Sequence, residues 1–270
     1  MKVRFWGARG SVPVSGSDFS RAGGNTSCVE LEHEGQRLIL DGGTGLTALG
    51  RELGAPLSAT VLFSHFHWDH IQGVPFFGAS YHPDSDLTFA AVGAPGALRE
   101  ALAAQMRPPS FPVGLELLQG IKAWDDLCYE EPYEAGPFRI LPLEQPHPNG
   151  VACYQIEVAG RRLVYATDVE HGGKVSRRLL DASQGADLLI HDSQYHWAEY
   201  TGEQGPPKRG WGHSTWLESV QAAQQAGVEH LALFHHDPSR DDAGVDLMEE
   251  LAQERFAGAF AAREGFVLEL

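Results

Sequence analysis

Hydrophobic positions in this chain gather into short runs separated by polar turns. Apolar, β-branched-rich segments bounded by Gly, Pro or Asp recur at Lys2–Trp6, Ser27–Leu31, Arg37–Leu40, Thr60–Phe63, Leu87–Ala91, Phe138–Leu143, Ala152–Val158, Arg162–Ala166, Leu188–Ile190, His230–Phe234 and Gly265–Leu270. Their length and boundaries predict β-strands. Helical spacing is rarer and predicts helices over Leu46–Leu53, Ala97–Met106, Val175–Gln184, Thr215–Ala226 and Asp241–Phe256. The best-marked begins at Thr215-Trp216-Leu217-Glu218, which has the spacing of a capping box, and stops at Gly227, a residue suited to the left-handed position after a helix. Strands dominate early and alternate with helices late. No repeat period and no Ser/Gly/Pro linker divides the chain, so a single domain over 1–270 is predicted. The stretch Arg107–Gly136, rich in Pro, Phe and Glu with little periodicity, is predicted to be a loop or lid insertion.

Composition adds bounds. A chain of 270 residues that is 43% hydrophobic can bury a large core. The opening MKVRFWGARGS has no apolar run long enough for a signal peptide, and no later segment approaches the roughly 20 apolar residues of a membrane span. A cytoplasmic protein with no membrane contact is expected. Cys28, Cys128 and Cys153 form an odd set without CxxC spacing, which suggests neither a disulfide framework nor a thiolate metal site. A formal charge of −16 argues against attraction to long nucleic acid, whose phosphates would be repelled on approach. It leaves room for a small anionic substrate, because bound dications invert the local field.

The decisive segment is Ser64-His65-Phe66-His67-Trp68-Asp69-His70, directly after the run Thr60–Phe63. In a turn at a strand's end, His65 and His67 can converge on one cation while Asp69 and His70 reach a second. Imidazole and carboxylate suit zinc, manganese or iron. Further ligands stand at the ends of later strands. His147 lies in a Pro-His-Pro-Asn-Gly turn, where the prolines hold the backbone extended. Asp168 ends the run Arg162–Thr167 and either bridges two cations or caps a helix. His235 and His236 end the strand His230–Phe234; adjacent strand residues face opposite ways, so one of them is expected to point inward, and His235 is the choice.

With these residues in place, the chain resembles the metallo-β-lactamase superfamily over nearly its whole length, through His-x-His-x-Asp-His at 65–70, His147, Thr167-Asp168 and His235. The resemblance implies an αββα sandwich of two mixed sheets flanked by helices, an α/β fold. It also implies two metal ions, zinc foremost, one on His65, His67 and His147 and the other on Asp69, His70 and His235, with Asp168 bridging. No ligand of that pattern is missing, which argues for catalysis.

Gly212-His213-Ser214-Thr215 resembles the extra histidine motif of the ribonuclease Z and phosphodiesterase-like branches, where the histidine assists phosphate binding or leaving-group protonation. A helix start is also a natural place for an anionic oxygen. Phe5-Trp6-Gly7-Ala8-Arg9-Gly10-Ser11, Gly23-Gly24-Asn25-Thr26-Ser27, Leu40-Asp41-Gly42-Gly43-Thr44-Gly45 and Trp211–Thr215 together resemble bacterial class II-like cyclic-nucleotide phosphodiesterases. The expected activity is hydrolysis of a small phosphodiester such as a cyclic nucleotide, by a water activated between the metals, with Asp69 and His213 as catalytic groups. Hydrolysis of a lactone, thioester or amide on the same centre is the alternative, and a metal-bound interaction domain without catalysis is the third. The resemblance also allows a homodimer. Asp41 either orients a ligand histidine or shapes the Gly-Gly turn. His171 and Asp192 reach the rim of the site or serve as an ordinary loop His and strand-end Asp. Arg107–Pro112 with Phe76, Phe77 and Tyr81 form either a base-stacking wall or a packed lid or dimer contact, and Asn25 either supports the metal loop or shapes a turn, without being expected as a ligand.

Overall fold

The computed structural model describes residues 1–270. Its strands are β1 (Lys2–Gly7), β2 (Cys28–His33), β3 (Gln36–Leu40), β4 (Ser58–Phe63), β5 (Asp86–Val92), β6 (Ile121–Leu127), β7 (Tyr133–Ala135), β8 (Phe138–Gln145), β9 (Val151–Val158), β10 (Arg161–Ala166), β11 (Leu188–Asp192), β12 (His230–Phe234), β13 (Ala259–Ala261) and β14 (Val267–Glu269). Its helices are α1 (Gly45–Leu53), α2 (Trp68–Ile71), α3 (Gly78–Tyr81), α4 (Ala97–Gln105), α5 (Arg177–Ser183), α6 (Trp197–Thr201), α7 (Trp216–Ala226) and α8 (Asp242–Gln253).

The strands form two mixed sheets, ordered β14-β1-β2-β3-β4-β5-β6 and β13-β12-β11-β10-β9-β8-β7. Alternation along each strand divides its side chains between two layers. In β10, Leu163 and Tyr165 enter the cluster between the sheets, where Phe5, Leu62 and Phe234 also lie. Val164 and Ala166 face the other way, against Leu179 of α5 and Val220 of α7. The first sheet does the same through β4, whose Val61 and Phe63 pack with Leu46 and Leu49 of α1 and Leu102 of α4. Helices therefore cover both outer faces, which is the αββα sandwich. No helix is long and apolar enough to cross a membrane.

Helix α7 has the predicted ends. The Thr215 side chain accepts from the Glu218 N–H, the Glu218 side chain accepts from the Thr215 N–H, and Gly227 adopts φ 64°. The stretch 107–136 departs from the expectation of an insertion throughout. Its second half holds β6, parallel to β5, and β7, antiparallel to β8. Both are sheet edges, half-covered and polar on one side, so their apolar pattern is too thin to read as strand. Only 107–120 is a loop, and Phe111 packs against the outer core of the first sheet.

Candidate active site

In each sheet the parallel central strands point their carboxyl ends the same way, and the loops leaving those ends carry the polar residues. Asp41 follows β3, Ser64–His67 follow β4, and Asp69 and His70 lie on α2. His147 is in the β8–β9 turn, Asp168 follows β10, Asp192 ends β11, and His235 follows β12. Three of these turn the chain through left-handed backbone, with φ of 62° at Asp41, 53° at Asp168 and 61° at His235. Such angles are uncommon outside glycine and are kept where the surroundings over-determine them. At His235 the turn breaks strand alternation and swings the ring into the site. His236 points away, its Nε2 bonded to the Ala262 carbonyl at 2.9 Å.

Every expected ligand is in the cluster. Ligand atoms of His65, His67, His147 and Asp168 lie within 4.8 Å of one another, as do those of Asp69, His70, Asp168 and His235. Asp168 belongs to both sets and divides its oxygens between them. Its Oδ2 is 3.7 Å from His65 Nε2 and 3.8 Å from His147 Nε2, while Oδ1 is 3.2 Å from both His70 Nε2 and His235 Nε2. Asp69 Oδ2 closes the second set at 3.3 Å from His70 and 3.2 Å from His235.

The other ring nitrogens are held from behind. His70 Nδ1 meets Asp41 Oδ2 at 2.8 Å, His147 Nδ1 the Gly212 carbonyl at 2.8 Å, and His235 Nδ1 Gln194 Oε1 at 2.9 Å. His65 Nδ1 is 3.0 Å from Ser64 Oγ, which donates in turn to Asp41. Asp41 also accepts from the Tyr165 hydroxyl at 2.7 Å. An acceptor at Nδ1 fixes the proton there and leaves Nε2 bare as a ligand. His67 differs: its Nδ1 faces His147, and Asn149 lies against its Nε2.

The donor set fits divalent cations. Nε2 of His65 and of His70 are buried without a hydrogen-bond partner, a costly state for a polar atom unless a cation meets it. Burial holds the His65, His67 and His147 pKa values below the ordinary imidazole range, which keeps them neutral as metal ligands must be. Burial acts the same way at His70, but Asp168, Asp69 and Asp41 outweigh it and raise its pKa. Burial would raise the Asp69 carboxyl, yet His70 and His235 hold it far below the usual range. The Ser11 N–H adds a 2.7 Å bond to Asp69 Oδ2.

Beside the second set, His213 stacks on His235 with ring centroids 4.9 Å apart. Its Nδ1 contacts Asp192 Oδ2 at 2.9 Å. Burial lowers its pKa, but Asp192 above all reverses this and brings it to about 9. Asp192 is thus a site residue that the sequence left open, and its role came from the strand end it shares with the other ligands. Ser11, Ser64 and Gln194 were given no role from the sequence, because Ser11 and Gln194 meet Asp69 and His235 far along the chain and Ser64 links His65 to Asp41 on another strand's end. His171 stays outside, its Nε2 3.0 Å from His191 Nε2, and Asn25 bonds Glu264 through Nδ2 at 3.0 Å. Phe77 is core and Tyr81 packs beside it, while the pockets that flank the site are lined by Phe66 and Tyr129 on one side and Tyr195 and Trp211 on the other.

Fold and ligand arrangement agree with sequence comparison: the Beta-lactamase superfamily domain matches residues 36–236, and the chain belongs to that superfamily. Among relatives, a ribonuclease Z of Haloarcula marismortui is 26% identical over 98% of this chain and 94% of its own. Among solved structures, the metallo-beta-lactamase fold protein YhfI of Bacillus subtilis superposes with TM-score 0.73 at 22% identity, covering 100% of this chain and 98% of that one. Zinc-bound PqqB of Methylobacterium extorquens superposes with TM-score 0.77 at 16% identity, with full coverage of both chains.

Proposed function

We propose that the protein is a dinuclear metal-dependent phosphodiesterase acting on a small phosphodiester, with a cyclic nucleotide as the first substrate to try. Its metal-binding groups are His65, His67 and His147 in one set, Asp69, His70 and His235 in the other, and Asp168 between them. Bound divalent cations, zinc foremost, supply a water acidified toward neutrality and a Lewis acid for charge developing on phosphorus. The observation that carries the reading is His213, set beside a complete ligand cluster and held by Asp192. A cationic imidazole there can pair with a phosphate oxygen and hold a proton at Nε2, which has no protein partner, for transfer to the departing alkoxide. Asp69, held ionised and bonded to the Ser11 N–H, serves as a ligand and keeps Gly10–Ser11 against the site. The ribonuclease Z relatives support phosphodiester chemistry. The chain's charge of −16 favours a small substrate over a long RNA, and a cytoplasmic setting accords with its free cysteines.

The test is turnover of 3′,5′-cyclic AMP and of bis(p-nitrophenyl) phosphate by protein loaded separately with zinc and manganese. Hydrolysis of a diester is expected. His213→Ala should lower kcat about 100-fold or more on an alkoxide leaving group and far less on p-nitrophenolate, which needs no proton. A His213→Ala variant with full activity on both would remove His213 from the proton transfer, and a wild type that cleaves neither diester would transfer the site to carboxylic esters, lactones or thioesters.

A further inference from the structure

Two pockets open on opposite sides of the ligand cluster. One, of about 340 Å³, is lined by His65, His67, Phe66, Tyr129 and Asn149. The other, of about 490 Å³, is lined by Ser11, Gln194, Tyr195, Lys208, Trp211 and His213 among others. They reach different halves of the centre. The smaller meets the His65 and His67 side, and the larger meets the His213 and Ser11 side, adjoining Asp69 and His235. A phosphodiester has two arms, so a phosphorus atom at the cluster puts one arm in each pocket.

The larger pocket has a composition of its own. Trp211 is 53% exposed, a large cost in apolar surface for a side chain that could fold onto the protein. It is held in place: the Lys208 ammonium sits 4.1 Å from the Trp211 ring centroid and 5.8 Å from that of Tyr195. Trp211 N–H donates to the Lys208 carbonyl, and Glu170 grips the flanking backbone through the Gly210 and Gly212 N–H groups at 2.8 and 2.7 Å. The carboxylate of Glu199 in the same pocket is taken by Arg240 at 2.7 Å, whereas Lys208 has no carboxylate partner. Tyr195 forms the floor, its ring 6.0 Å from that of His213. A fixed aromatic plane beside an unpaired cation suits a planar ring attached to an anionic group.

We propose that this pocket is the leaving-group subsite, that Trp211 stacks the nucleobase of a departing nucleoside, and that Lys208 holds the Trp211 plane and draws in the anionic substrate. The inference rests on the phosphodiesterase reading and narrows it to linear diesters with a nucleoside leaving group as better substrates than cyclic ones. The geometry gives the direction: His213 lines this pocket, so the oxygen it protonates belongs to the arm lying there. Trp211 and Lys208 touch the leaving group without touching the reacting bond, so they act as specificity residues.

The experiment compares the metal-loaded full chain with its Trp211→Ala, Trp211→Phe and Lys208→Gln variants. The substrates are the dinucleotide ApA and ethyl p-nitrophenyl phosphate; AMP and ribose 5-phosphate are the binding probes in calorimetry. Trp211→Ala is expected to raise KM for ApA about tenfold with kcat within about twofold, and to weaken AMP by a similar factor while leaving ribose 5-phosphate unchanged. Trp211→Phe should recover most of the loss, and Lys208→Gln should raise KM for ApA by several-fold. If diesters are cleaved but Trp211→Ala changes neither KM for ApA nor the AMP preference, the subsite assignment is overturned and the phosphodiesterase reading stands. If the wild type cleaves neither diester with zinc or manganese, the phosphodiesterase reading itself fails and takes the subsite with it.

Discussion

Asp168 and Asp41 divide the work of one carboxylate type between two depths. Asp168, on left-handed backbone, has five imidazoles within 4 Å of its carboxylate and belongs to both ligand sets. Asp41, fully buried behind His70, has no ligand role; it accepts from His70, Ser64 and Tyr165 and so sets which nitrogen of His70 is bare. Replacing it with asparagine keeps the shape but removes the charge. Asp41→Asn is expected to weaken metal binding about 10- to 100-fold, read by competition against a chromophoric chelator. An affinity within twofold of wild type would mean that Asp41 only shapes the turn before Gly42. Gly10 is demanded at this scale too: a Cβ there would overlap the His235 ring. The candidate metal ligands were legible because imidazole and carboxylate spacing survives in one dimension. Of the residues behind them, Asp41 was open to that reading beside a turn-forming one, whereas Gln194 and Ser11 were not, since they gain their meaning only from partners 41 and 58 positions away.

Among the elements, α7 joins stability to the site. Its cap residue Thr215 is fully buried and closes the box with Glu218, whose other oxygen accepts from the Gly173 N–H at 2.6 Å. The same turn carries His213, and the Trp216 N–H bonds the Tyr195 carbonyl at 3.1 Å. Thr215→Ala should therefore cost about 1 kcal/mol of stability, visible as a lower urea midpoint. It should also lower kcat, because the cap positions the His213 loop. A variant with an unchanged midpoint would show that the Glu218 contacts suffice without the hydroxyl. This helix was readable end to end because its capping signals are local. The edge strands β6 and β7 were not, because an edge strand is defined by its neighbour β5 or β8 more than by its own alternation. The short helices α3 and α6 escaped for a related reason: four or five residues are too few to show a period of 3.6.

Across the whole molecule, charge is sorted by depth. A third cavity of about 470 Å³, lined by Arg139, Arg161 and Arg162, lies near the β9–β10 turn, away from the ligand cluster, and its arginines are neutralised by Glu157 and Asp187. Behind the site, buried His191 faces half-buried His171. Burial brings the His171 pKa down to about 4, and burial together with the neighbouring His171 brings that of His191 to about 4 as well. An unfolded histidine titrates near 6.5. Between pH of roughly 6.5 and 4 the unfolded chain therefore takes up protons that the folded chain refuses, so stability should fall as pH falls through that window. Urea midpoints measured from pH 7 to 4.5 should decline, and less steeply in a His171→Asn variant; a flat profile would contradict the neutral pair.

The most direct test of the dinuclear centre is zinc stoichiometry, obtained by titrating the chelator-treated full chain and measuring bound metal by elemental analysis. Two bound zinc ions per chain is the expected result, falling to one or fewer in Asp168→Ala because that residue belongs to both ligand sets. Saturation at a single ion in the wild type, or two ions retained without Asp168, would contradict it.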